Sequence, residues 1–152
     1  MTDSAADLND FAQRTRDVFF ALRALSEGML HDLDCTEPER GVLQDLELRG
    51  PQTVPALAQA RAVSRQAMQK TIDRMAERKW IATEPNPRHQ RSPLVAATAA
   101  GRKLFAHFRS REQRAFGKLK LPLSGKELDR TTRALEEMAT FLGSLEPRPP
   151  SR

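Results

Sequence analysis

The chain has 152 residues, enough for one compact domain with a real core, and its 39% hydrophobic and 30% charged residues describe a globular, helix-rich protein. A single cysteine, Cys35, excludes an internal disulfide framework and suits a reducing compartment, so a cytoplasmic location is expected. Asp3, Asp7, Asp10, Arg14, Arg16 and Asp17 exclude a secretory signal, and no apolar run approaches the roughly 18 residues of a membrane span, so no membrane partner is expected.

The net charge of +5 is unevenly spread: residues 1–60 hold five Arg and Lys against eleven Asp and Glu, residues 61–91 eight against three, and residues 92–152 twelve against six. An acidic front followed by a basic middle is the electrostatic footprint of a polyanion binder.

In chain order, Leu8, Phe11, Val18, Leu22, Leu25 and Met29, with Thr15 filling one position, repeat in steps of three and four. That is a heptad seam, and Phe19, Leu30 and Leu33 widen it, so the first helix is expected to need a partner. Thr36, Pro38 and Glu39 predict the start of a second helix through an N-cap, a first-turn proline and a capping box. Its apolar residues are Val42, Leu43, Leu46 and Leu48, and it stops at Gly50-Pro51. Thr53 caps a short third helix, Val54 to about Arg61, with Leu57 and Ala58 inward.

Ala62-Val63-Ser64 predicts a tight link to a fourth helix with Ser64 as N-cap and Met68, Ile72, Met75 and Ala76 as its apolar stripe. The opposite side shows Arg65, Gln66, Gln69, Lys70 and Asp73, long in amides and cations. Trp80–Thr83 and Leu94–Ala97 predict two short strands around a basic hairpin, its prolines fitting an edge position. Thr98 caps a fifth helix carrying Leu104, Phe105, Phe108, Phe116 and Leu119, ended by Pro122. Ser124 and Glu127 form a capping box for a sixth helix, in which Leu128, Leu135, Met138, Leu142 and Leu145 repeat the spacing of the first. Residues 146–152 are expected to form a disordered tail.

A capped helix, a short helix, a tight turn, a polar-faced helix and a basic hairpin arrive in that order. An exposed helix fits the major groove of B-DNA, about 12 Å wide. Arg65, Gln66 and Gln69 suit base edges, Ser64 a phosphate at the helix start and Lys70 the backbone, and Arg74 is a further DNA-binding candidate. Arg88, His89, Gln90 and Arg91 at the hairpin suit an adjacent minor groove or backbone.

The run from Thr53 to Ala58, then Val63 to Met75, then Trp80-Ile81 resembles the helix-turn-helix of MarR-type (multiple antibiotic resistance) regulators. The hairpin Asn86–Pro93, followed by Thr98–Arg102, resembles their wing. The resemblance spans residues 8–145. It implies a mainly α protein with an α+β wing, a winged helix-turn-helix with long N- and C-terminal dimerisation helices. The expected organisation is a dimerisation helix at 1–35, a DNA-binding lobe at 36–97 and dimerisation helices at 98–145. The expected function is a homodimeric transcription regulator, a repressor, on a pseudo-palindromic duplex of double-stranded DNA. The resemblance also implies a small-molecule effector between the dimer helices and the lobe. A protein-interaction module and a non-specific nucleic-acid coat stay open as alternatives.

Two positions depart from the family pattern. Lys79 stands where glycine is usual, at a cost of about 1 kcal/mol if the left-handed backbone is kept, so a different helix end is expected. The wing lacks the usual aspartate between Glu84 and Pro93.

Other chemistry has little support. His31 and Cys35 are four apart, but two ligands at a helix end are weak evidence for a metal. Asp32, Asp34 and Glu37 disfavour a Cys35 thiolate, so a small buried hydrophobe is the better reading. His107 has no partner in sequence. There is no G-x-S-x-G, P-loop or H-E-x-x-H, and Ser124-Gly125-Lys126 is explained by its capping box, so no enzyme and no cofactor are expected.

Overall fold

A computed structural model of the chain describes residues 4–30 and 32–145. His31, weighed above only as a weak metal-ligand candidate, and the segment 146–152, expected to be a disordered tail, lie outside the described residues. The elements are α1 (Ser4–Leu30), α2 (Glu37–Arg49), β1 (Gln52–Thr53), α3 (Val54–Ala60), α4 (Arg65–Glu77), β2 (Ile81–Glu84), β3 (Leu94–Ala97), α5 (Ala99–Phe116) and α6 (Gly125–Ser144). They form two compact units, one running through Phe116 and the other starting at Gly117.

In the first unit the helices begin where short polar side chains can satisfy free amides. The Glu39 carboxylate accepts from the Thr36 backbone N–H at 2.8 Å and from its hydroxyl at 2.9 Å. Thr53 accepts from the Ala56 amide, and Thr98 from the Gly101 amide. Gly50 ends α2 at φ 73°, a backbone that only glycine adopts cheaply.

The sheet has three antiparallel strands in the order β1-β3-β2. Gln52 faces Val95 and Thr53 faces Leu94, while Ile81 faces Ala97 and Glu84 faces Leu94. β3 is therefore central rather than an edge strand, and β1 is an element that sequence periodicity did not predict. Two residues are too few to show an alternation of period two.

One apolar core joins Val42, Leu43 and Leu46 of α2, Leu57 and Ala58 of α3, Met68, Ile72 and Met75 of α4, Ile81, Val95 and Phe105. Each large member contributes about 1.5–3 kcal/mol by leaving water. A second cluster unites Leu30, Cys35 and Phe108, with Met29, Leu33, Trp80 and Leu104 against it. Ala76 and Leu48, assigned inward by spacing, are exposed. α5 ends at Phe116 and not at Pro122, leaving Phe116 and Leu119 exposed as well. Most of the α1 seam is also open to solvent in the single chain: Leu8, Val18, Leu22 and Leu25 are exposed, and only its end around Leu30 is buried.

In the second unit Ser124 and Glu127 close their capping box, the Glu127 carboxylate accepting from the Ser124 N–H at 2.8 Å and from its hydroxyl at 2.7 Å. These bonds hold the Glu127 carboxyl below its ordinary range. No residue of α6 is buried, and Leu128, Leu135, Phe141, Leu142 and Leu145 are exposed. Among the described residues no helix is long and apolar enough to cross a membrane.

Candidate nucleic-acid interface

The polar face of α4 is set by what anchors its opposite side. Met68, Ile72 and Met75 are at most 3% exposed, which fixes the helix about its axis and turns Gln66, Gln69, Lys70 and Asp73 outward. The turn before α4 places Ala62 at φ 52°, and Val63 N–H donates to Ala58 O at 3.1 Å. Ser64 then accepts from the Ala67 amide at 3.1 Å, leaving its own hydroxyl proton free to donate. Gln69 Nε2 donates to Asp73 Oδ1 at 2.8 Å.

The far end of α4 keeps the left-handed residue despite its lysine. Lys79 sits at φ 59°, its N–H donates to Ala76 O at 2.9 Å, and Trp80 N–H donates to Met75 O at 2.9 Å. This is the six-to-one, five-to-two pattern that normally ends on glycine. The different helix end expected above is not adopted. Thr98 supplies the reason: its hydroxyl donates to Lys79 O at 2.7 Å and its N–H to Trp80 O at 3.0 Å, so α5 holds the turn from outside.

Arg74 ties α4 to α2, and Arg78, just past the end of α4, reaches the connection between α1 and α2. Arg74 pairs with the fully buried Glu39 at 3.4 Å. Arg78 donates to the Asp34 carbonyl, pairs with its carboxylate at 3.3 Å and lies 4.9 Å above the Trp80 ring. Arg74 is thus placed apart from the other residues assigned to DNA.

The hairpin between β2 and β3 is organised by Asn86. Its Nδ2 donates to Ser92 O at 2.8 Å, its Oδ1 accepts from Arg88 N–H at 3.0 Å, and its carbonyl accepts from His89 N–H at 3.1 Å. One side chain thereby spans the loop and shapes it. Sequence reasoning named Asn86 but gave it no task; an asparagine before a proline in a turn was the available signal.

The folded hairpin brings Arg91 beside the start of α4. Arg65, Gln66, Gln69 and Arg91 line one open groove of about 480 Å³, closed on its other side by Val54 and Pro55. Arg88 and His89 line a second groove of about 670 Å³ with Thr53, Pro55 and Ala56, on the other flank of the wing. Lys70 and Gln90 are exposed and line neither.

The cations of this face are unpaired among the described residues, as are others of the described surface such as Arg49, Lys103 and Lys126. Arg14, Arg23, Arg40, Arg61, Arg111 and Arg133 each hold a carboxylate, whereas Arg65, Lys70, Arg88 and Arg91 have no ion pair among the described residues. Cys35 is buried away from this surface. Burial, then Glu39, pushes its thiol up to about 12, with Arg78 opposing. Asp32 and Asp34, invoked from sequence, are not the cause. His107 is exposed, and no cluster of three metal-ligating residues exists among the described residues.

Residues 36–92 match the model of the MarR family. The curated proteins give no match. Among solved structures, a MarR family transcription regulator is 23% identical with a TM-score of 0.74, covering 94% of this chain and 95% of its own. A mutant MarR from E. coli, complexed with operator DNA, is 21% identical with a TM-score of 0.73, covering 90% and 99%. A MarR family protein from Bacillus stearothermophilus is 16% identical with a TM-score of 0.75, covering 92% and 98%. At these identities the likeness establishes the fold, and it agrees with the independent match over the lobe. By fold the chain is a winged helix-turn-helix protein similar to solved MarR family structures, and by sequence its residues 36–92 match the model of the MarR family.

Proposed function

We propose that the chain is a sequence-specific DNA-binding transcription regulator, a repressor, acting as a homodimer on a pseudo-palindromic duplex. The observation that carries the reading is the open groove where Arg65, Gln66, Gln69 and Arg91 converge, with no carboxylate among the described residues pairing either arginine. Unpaired guanidinium groups and amides side by side suit a ligand that offers phosphates and base edges together. A solved structure of the same fold in complex with operator DNA supports the same reading.

In this reading α4 enters the major groove and the lobe is residues 36–97. Arg65, Gln66 and Gln69 read bases; Ser64, Lys70 and Arg91 meet phosphates; Arg88, His89 and Gln90 reach the neighbouring minor groove or backbone. Residues 1–35 and 98–145 supply the dimer interface, using the exposed apolar positions of α1 and of α6. Two α4 helices would then lie about 34 Å apart, one turn of the duplex. The cleft of about 590 Å³ bordered by Arg23, Leu30, Cys35 and Arg74 would receive a small effector, next to the Arg74–Glu39 pair that holds α4.

Selection of bound duplex from a random pool, followed by titration at several salt concentrations, tests the proposal. A selected site should be bound at least about 10³-fold more tightly than random duplex, by two chains, with a steep loss of affinity as salt rises. Equal affinity for all duplexes identifies a non-specific coat. No binding at low salt leaves a protein-interaction module.

A further inference from the structure

We propose that Asp73 sets the base preference of α4 by fixing the polarity of the Gln69 amide, an inference that rests on the DNA-binding reading above. Gln69 lines the groove with Arg65, Gln66 and Arg91, while Asp73 stands one turn further along, outside that lining. The two are joined by Gln69 Nε2 donating to Asp73 Oδ1 at 2.8 Å. Asp73 is exposed and has no cationic partner among the described residues. An unneutralised carboxylate on a phosphate-facing surface weakens binding to every sequence. Its presence on the outward side of α4 therefore calls for a compensating task.

The task follows from donor and acceptor chemistry. A glutamine amide has a donor end and an acceptor end, and a half-turn about its last torsion exchanges them. A carboxylate only accepts, so Asp73 can hold only the nitrogen end. With Nε2 held, one N–H remains free and Oε1 keeps a fixed side. A donor next to an acceptor complements adenine, which offers N7 as acceptor and N6 as donor. It does not complement guanine, whose N7 and O6 both accept. An amide released from Asp73 can turn its donor end toward either purine. Asp73 is thus a positioning residue: it touches no base and acts through Gln69.

The experiment compares the wild type with Asp73→Asn, which keeps size and shape but can bind either end of the Gln69 amide. Duplexes of the selected site carrying each base pair at each position are titrated at one salt concentration. Gln69→Ala identifies the position that Gln69 reads, as the one where discrimination disappears. There the wild type is expected to favour adenine over guanine by about tenfold or more. Asp73→Asn is expected to cut that ratio by about threefold or more, while tightening all duplexes by a common factor. In the Gln69→Ala background the same substitution should leave the ratio unchanged, which an altered helix would not do. An unchanged ratio in Asp73→Asn, or an equal change without Gln69, overturns the inference and leaves the DNA-binding reading standing. A wild type with no base preference anywhere overturns both.

Discussion

Lys79 and Gly101, the latter set against the neighbouring Trp80 carbonyl, make opposite use of backbone space. Lys79 occupies a left-handed conformation that costs an L-residue about 1 kcal/mol. Lys79→Gly is therefore expected to stabilise the protein by about that amount, read as a higher urea midpoint at unchanged slope and fixed protein concentration. Gly101 shows the reverse, because a Cβ there would drive into the Trp80 carbonyl oxygen. Gly101→Ala is expected to cost at least about 2 kcal/mol by the same measurement. Cys35 yields a pH prediction. Its folded pKa, about 12, lies above the ordinary thiol value of 9.0, so the native state holds the thiol proton that the unfolded chain gives up. The contribution is complete below pH 9 and is lost as pH rises from 9 toward 12, at up to about 1.4 kcal/mol per pH unit. Cys35→Ala should show a shallower alkaline loss than the wild type; parallel curves would refute the buried-thiol account.

At the scale of elements, α4 and the wing divide the work, and single changes should separate them. Lys70→Ala and Arg91→Ala are expected to weaken all duplexes and to reduce the salt slope by about 1 each. Arg65→Ala should instead relax preference at one base position in each half-site. Arg74→Ala should leave the slope intact and cost about 1–2 kcal/mol of stability, because its partner is the buried Glu39 and not a phosphate. This is where sequence reasoning reached its limit. The helices were legible because Thr36, Thr53, Ser64, Thr98 and Ser124 mark their starts and the apolar spacing marks their inner faces. Helical spacing puts Arg74 near Lys70, but only the fold brings Glu39 from α2 to meet it. The end of α5 escaped for a related reason: helix-forming residues continue past Phe116, and Pro122 is only the last point at which a helix could stop. The Gln69–Asp73 pair was present in the spacing, yet an acid among amides and cations reads as one more solvated side chain until its hydrogen bond is seen.

For the molecule as a whole, the exposed apolar residues on α1 and α6 are the largest feature that one chain leaves unexplained. Under the proposed dimer, Leu22→Glu should shift sedimentation from two chains to one and weaken operator binding more than binding of a single half-site. A monomeric wild type would remove the symmetric operator from the proposal. One structural detail constrains how any such assembly could respond to a signal. Thr98 bonds the carbonyls of Lys79 and Trp80, and Gly101 lets α5 start directly against that same strand entry. The junction between the wing and α5 is thus tied by two hydrogen bonds and one close backbone approach. A torque applied along α5 is expected to carry the wing and the end of α4 together, and amide exchange at Thr98 and Arg102 should be correspondingly slow.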